Sequence, residues 1–183
     1  MSIQTVGIVG AGTMGNGIAQ ACAVAGIPVV MVDISEAAVQ KGLATIAGSL
    51  DRLIKKEKIT AADKDKALSL IKTSTSYDDL KAAQLVIEAA TENYDLKVKI
   101  LQQLDSLLAP EALMASNTSS ISITKLAAVT QRADKFIGMH FFNPVPMMKL
   151  VEIIRGLQTS DATHDAVKAL AEKLGKTPIT VKN

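Results

Sequence analysis

Thr5-Val6-Gly7-Ile8-Val9-Gly10-Ala11-Gly12-Thr13-Met14-Gly15 decides the fold of this chain. Val6 to Val9 is a short, continuous apolar run of the kind found in strands buried on both faces, and it breaks at Gly10. Ile18-Ala19-Gln20-Ala21-Cys22-Ala23-Val24 then reads as a small-residue helix that Gly26 stops, and Val29-Val30-Met31-Val32 supplies a second apolar strand. Strand, helix and strand within about 30 residues form a β-α-β unit, the building block of a parallel sheet.

Gly10-x-Gly12-x-x-Gly15 stands where a dinucleotide-binding turn requires it, after an apolar strand and at the opening of a helix. Gly10 permits the tight turn, Gly12 lets the backbone approach a pyrophosphate, and Gly15 allows helix and strand to pack closely. The helix N-terminus adds free N–H groups and a partial positive charge. Ala11, Thr13 and Met14 complete this turn. The second strand ends in Asp33, about 20 residues on, where a carboxylate accepts hydrogen bonds from ribose hydroxyls and repels a 2′-phosphate. NAD is therefore favoured over NADP. A structural glycine turn followed by a capping aspartate is the bland alternative, and the agreement of strand, glycines and acid weighs against it.

Working outward, Ser35 caps a long helix to about Lys56, and Thr60-Ala61-Ala62-Asp63 starts another to about Ile71. Residues from about 36 to 71 thus read as an antiparallel helix pair inserted into an otherwise alternating chain. Leu85-Val86-Ile87-Glu88, about Asp95 to Leu108, and Leu113-Met114-Ala115-Ser116 resume strand, helix and strand. Further strands are expected at Phe136 to Phe142, Lys149 to Ile154 and Thr177 to Val181, with helices near Thr124 to Val129 and Asp161 to Leu174. The expected fold class is α/β, a Rossmann-like and mostly parallel sheet with helices on both faces and the inserted helix pair. At 183 residues and 48% hydrophobic, the chain suffices for one such domain.

Twenty basic against eighteen acidic residues leave a charge of only +2, so neither nucleic acid nor an anionic membrane is the expected partner. The lone cysteine, Cys22, excludes a disulfide framework and leaves too few thiols for the usual structural zinc site; no metal is expected. The first apolar run begins within a few residues of Met1, so no targeting peptide is expected. No apolar stretch reaches the roughly 20 residues of a spanning helix. A soluble cytoplasmic protein is the expectation.

His140 ends an apolar strand beside the rigid turn Asn143-Pro144-Val145-Pro146, whereas His164 lies in a polar helix start and is expected to be solvated. A histidine in an apolar strand is more often a satisfied core residue than a general base. Glu152 alters that balance, because it lies on a strand able to return alongside the first, where it can orient an imidazole and stabilise its protonated form. Ser116-Asn117-Thr118-Ser119-Ser120 follows another strand at the same carboxyl edge, and is read equally well as a substrate-contacting loop or a helix cap. Ala89-Ala90-Thr91-Glu92-Asn93 is likewise read two ways, as a polar strand end that contacts the cofactor or as the cap of the next helix.

The Gly-Ala-Gly-Thr-Met-Gly turn, Glu92-Asn93, Ser116-Asn117-Thr118-Ser119-Ser120 and His140-Phe141-Phe142-Asn143-Pro144-Val145-Pro146, in this order, resemble the L-3-hydroxyacyl-CoA dehydrogenase family, and its bacterial 3-hydroxybutyryl-CoA members in particular. The resemblance spans essentially the whole chain. It implies reversible NAD-linked oxidation of a (3S)-3-hydroxyacyl-CoA to the 3-ketoacyl-CoA. It also implies His140 as general base, Glu152 as its orienting carboxylate and Ser119 as hydrogen-bond partner of the reacting oxygen. Cofactor contacts are implied at Asp33, Glu92, Lys97, Ser119 and Asn143, with Lys99 as a rival to Lys97. An acyl-CoA partner gives the inserted helices a use. Ser49, Arg52 and Lys56 share one helix face, and the family's CoA contacts fall on Ser49 and Lys56, although a solvated basic helix end is the bland alternative.

The resemblance further implies that residues 1–183 are the NAD-binding domain. A C-terminal helical domain that walls the acyl pocket and forms the homodimer would then be absent from this chain. The chain alone is expected to bind NAD as a monomer and to be catalytically incomplete. Two other readings remain: a dehydrogenase of a free hydroxy acid, needing no basic helix face, and a non-catalytic nucleotide-binding module, needing no His140–Glu152 pair.

Overall fold

Val6-Gly7-Ile8-Val9 forms the central strand β1 (Val6–Val9) of an eight-stranded sheet, buried at every position. The structure is a computed structural model and describes residues 2–183. From β1 the chain passes through α1 (Thr13–Val24), β2 (Val29–Val32), α2 (Glu36–Lys55), α3 (Ala61–Ser69), β3 (Ile71–Ser74), β4 (Leu85–Glu88), α4 (Tyr94–Leu107), β5 (Leu113–Ser116) and α5 (Ile123–Ala128). It continues into β6 (Phe136–Phe141), β7 (Leu150–Arg155), α6 (Asp161–Lys173) and β8 (Thr177–Lys182). The strand order is β3-β2-β1-β4-β5-β6-β7-β8. Every neighbouring pair is parallel except β6 with β7. The chain runs outward from β1 on one side to β3 and then restarts on the other side with β4, so a topological switch point lies between β1 and β4. Ligands of open α/β sheets bind at the carboxyl ends of the strands there.

Side-chain alternation along the strands feeds two cores. Ile8, Met31 and Ile87 join Ile18, Ile46 and Leu50 beneath α1 and α2, whereas Val9, Val32 and Val86 join Leu101, Leu104, Leu126 and Phe136 beneath α4 and α5. Both faces of the sheet are thereby covered, as an apolar parallel sheet requires. Among the described residues no helix is long and apolar enough to cross a membrane.

One part of the sequence reading is corrected. The helical segment does not run to Ile71: α3 ends at Ser69, and Ile71–Ser74 pairs in parallel with β2 as the sheet's edge strand. Ile71 and Ser74 are buried while Lys72 is exposed, the mixed pattern of an edge that touches the core at a few positions only. The helix pair is accordingly the crossover between β2 and β3, and it packs on α1.

Candidate active site

Two of the three glycines are demanded by the chain's own packing. Gly10 has φ +114°, and a Cβ there would lie 2.6 Å from the Ala89 carbonyl oxygen; at Gly15 it would lie 1.8 Å from that of Gly10. Gly12 differs, because a Cβ there would meet nothing within 4 Å. It begins α1, and no side chain caps that N-terminus. A backbone turn open to solvent, in front of uncapped N–H groups, fits a pyrophosphate.

Asp33 closes one side of this turn. Its Oδ2 accepts from the Ala11 N–H at 2.8 Å and its Oδ1 from the Ile34 N–H at 2.6 Å, so the carboxylate is fixed against the glycine turn. It borders a cleft of about 510 Å³ with Ile34, Thr75, Ser76, Tyr77 and Asp78. On the other side of the switch point lies a cleft of about 300 Å³. Gly12, Thr13 and Met14 line it together with Ala89, Ala90, Thr91, Glu92 and Asn117. The two clefts flank the glycine turn as the two halves of a dinucleotide would.

At this second cleft the sequence reading missed a buried charge cluster. Lys97 is fully buried, and its ammonium pairs with Glu88, donates to Ser116 Oγ at 3.2 Å and lies 3.9 Å from Glu92 Oε1. Ser116 Oγ donates to Glu88 Oε1 at 2.7 Å. A signal existed: Lys97 shares the α4 face of the buried residues Ile100, Leu101 and Leu104, whereas Lys99 is exposed. Glu92 Oε2 accepts from the hydroxyls of Thr118 and Ser120, each at 2.9 Å. Ser119 stands exposed on the same loop.

The antiparallel register of β6 and β7 sets His140 directly opposite Glu152. His140 Nδ1 and Glu152 Oε1 are 2.8 Å apart, and both side chains are partly buried. The Phe142 ring leans on the imidazole, 4.5 Å between centroids. Asn117 Oδ1 accepts from the Phe141 N–H at 2.8 Å and ties the loop after β5 to the end of β6. His164 is not solvated as expected. Its Nδ1 meets Asp165 and its Nε2 meets Thr180 Oγ1 at 2.8 Å, tying α6 to β8, because strand pairing brings the polar face of β8 under the helix start.

Ser49, Arg52 and Lys56 line a third cleft, of about 590 Å³, which also takes in Thr13, Asn143 and Pro146. Val145 anchors the Asn143-Pro144-Val145-Pro146 turn against α1: a Cβ on Gly17 would come within 2.8 Å of its own Cβ. Lys176 Nζ donates to the carbonyls of Val145 at 2.5 Å and Met148 at 2.9 Å. Burial holds that ammonium below the usual lysine pKa.

A doubly wound sheet with a glycine turn, an acid at the end of its second strand and a His–Glu pair at its carboxyl edge is the architecture of a dinucleotide-dependent dehydrogenase domain. The model of the 3-hydroxyacyl-CoA dehydrogenase NAD-binding domain matches residues 5–183. A 3-hydroxybutyryl-CoA dehydrogenase of Bradyrhizobium diazoefficiens is 52% identical over 95% of this chain and 59% of its own length. A probable 3-hydroxybutyryl-CoA dehydrogenase of Bacillus subtilis is 45% identical over all of this chain and 64% of its own. The crystal structure of (S)-3-hydroxybutyryl-CoA dehydrogenase from Ralstonia eutropha superposes with a TM-score of 0.99 at 77% identity, covering 100% of this chain and 64% of that one. The chain belongs to the 3-hydroxyacyl-CoA dehydrogenase family, as its NAD-binding domain, and spans less than two thirds of the length of these relatives.

Proposed function

We propose that this chain supplies the NAD seat and the proton-transfer pair of an enzyme that oxidises a short (3S)-3-hydroxyacyl-CoA, such as 3-hydroxybutyryl-CoA, to the 3-ketoacyl-CoA and reduces it in reverse. The 2.8 Å contact between His140 Nδ1 and Glu152 Oε1 carries this reading. A carboxylate on Nδ1 fixes the neutral tautomer with its proton there, which leaves the Nε2 lone pair free as a base. Nε2 takes the substrate hydroxyl proton, and Glu152 stabilises the resulting imidazolium. In reverse the imidazolium returns the proton to the ketone oxygen. Bound NAD supplies the two-electron redox chemistry, accepting hydride in one direction and donating it in the other.

The other residues hold the reactants. Gly10, Ala11, Gly12, Thr13, Met14 and Gly15 cradle the pyrophosphate, Asp33 holds the adenosine ribose, and Glu92, Ser119 and Asn143 define the nicotinamide half, with the buried Lys97 beneath them rather than in contact as the resemblance implied. Ser119 also donates to the reacting oxygen. Ser49, Arg52 and Lys56 bind the CoA phosphates. The acyl-chain wall and the dimer contact belong to the portion of the relatives that this chain does not span.

The test is NADH-dependent reduction of acetoacetyl-CoA by the full-length protein. His140→Ala should lower turnover roughly 10²-fold or more with NADH affinity unchanged, since general-base catalysis contributes on the order of 10² to 10⁴. Glu152→Gln should have a smaller effect. Turnover of His140→Ala near the parent's would make the histidine structural.

A further inference from the structure

Glu88, Lys97 and Ser116 form a polar knot with no exposure, at the meeting of β4, α4 and β5 and directly under the 89–92 loop. Burying an ion pair is costly unless its remaining hydrogen-bonding capacity is used, and here it is used on that loop. The second Glu88 oxygen, Oε2, accepts from the N–H of Ala90 at 2.9 Å and of Thr91 at 3.4 Å. The ammonium that Glu88 neutralises is also the one 3.9 Å from Glu92 Oε1. Glu92, half exposed, lines the cleft over β4 and β5, across the switch point from Asp33. That half of the seat takes the nicotinamide riboside when Asp33 takes the adenosine.

We infer that Glu88 is a positioning residue for the cofactor: by engaging the Lys97 ammonium and pinning the 89–92 backbone, it keeps Glu92 unquenched and turned toward the nicotinamide. The ring is cationic when oxidised and neutral when reduced, so an unquenched carboxylate beside it favours the oxidised cofactor. Without the Glu88 charge, the ammonium has Glu92 as its one carboxylate partner in the cluster and draws it away from the Thr118 and Ser120 hydroxyls. Lys97 thus acts through Glu88 and Glu92 from beneath the loop.

The inference rests on the cofactor seat proposed above. Its test is calorimetric titration of the chain with NAD⁺ and with NADH, read as the ratio of the two dissociation constants. Glu88→Gln, which retains an acceptor for the Ala90 N–H, should weaken NAD⁺ on the order of fivefold to tenfold more than NADH, as for one charge acting across an open cleft. Glu92→Gln should shift the ratio in the same direction. Adding Lys97→Met to Glu88→Gln removes the quenching ammonium and should restore the parental ratio, which a merely structural role would not do. Equal weakening of both nucleotides by Glu88→Gln, or a parental ratio in Glu92→Gln, overturns the inference. Should Glu88→Gln not fold, the double variant leaves no orphaned buried ion, and a ratio shifted away from NAD⁺ in it overturns the inference as well. A parent that binds neither nucleotide would instead remove the cofactor seat itself.

Discussion

Three glycines in six residues look alike in sequence and are unlike in consequence. At Gly15 a methyl group would sit 1.8 Å from a backbone oxygen, which no side-chain adjustment relieves, whereas at Gly12 it would enter open space. Gly15→Ala should therefore lower the melting temperature by several degrees, a loss of at least about 1 kcal/mol. Gly12→Ala should melt within about a degree of the parent. The order should reverse in a binding titration, with Gly12→Ala losing NADH affinity about tenfold by filling the ligand's approach, an effect of about 1.4 kcal/mol. Asp33 belongs to the same scale. Both its oxygens already accept backbone N–H groups, so the carboxylate is held in place before any ligand arrives. Asp33→Asn should narrow the preference for NADH over NADPH, since a carboxylate beside a 2′-phosphate repels it. Calorimetry with both nucleotides checks this, and an unchanged preference would assign discrimination elsewhere in the Asp33–Asp78 cleft.

Helices carry the next level of consequence. The basic face of α2 was legible from the spacing of Ser49, Arg52 and Lys56, but only packing shows that it faces the Asn143–Pro146 turn across a cleft. Lys56→Ala should raise the Michaelis constant for acetoacetyl-CoA and reduce its dependence on salt, because exposed charge contacts are screened. NADH binding should stay unchanged. An equal rise for a substrate truncated at pantetheine would show that Lys56 does not read the nucleotide phosphates. The end of α4 was legible in position, about Leu108 against the observed Leu107, but what satisfies it was not. Arg132, nearly buried, pairs with Asp105 through Nε at 2.6 Å and donates to the carbonyls of Asp105, Leu108, Ala109 and Ala112. It stands in for the missing C-terminal cap of that helix from more than 20 residues away, and no local pattern announces so distant a partner.

Across the whole molecule, Lys176 at the start of β8 holds the turn after β6 through two carbonyls and so links the far end of the sheet to the wall of the cleft. Its pKa is lowered by burial, so approaching the ordinary lysine value from below, the unfolded chain holds more protons than the folded one. Stability contributed by this site therefore rises with pH in that window. The stability of the parent relative to Lys176→Met should increase as pH is raised toward about 10, as measured by urea melts; a flat difference would mean the ammonium is not desolvated. The sequence by itself determined the doubly wound class, the glycine turn with Asp33, and the candidacy of His140, because those rest on local rules: apolar runs of strand length, glycines at fixed spacing, and an acid at the end of the second strand. Tertiary structure decided the rest. The edge strand β3 carries too little apolar signal to be seen without its partner β2, and the His140–Glu152 contact exists because an antiparallel return sets two positions 12 apart in register. The Glu88–Lys97–Ser116 cluster joins three elements: the face of α4 marks Lys97 as inward, but which partners on β4 and β5 it meets is set only when the sheet closes over them and water is excluded.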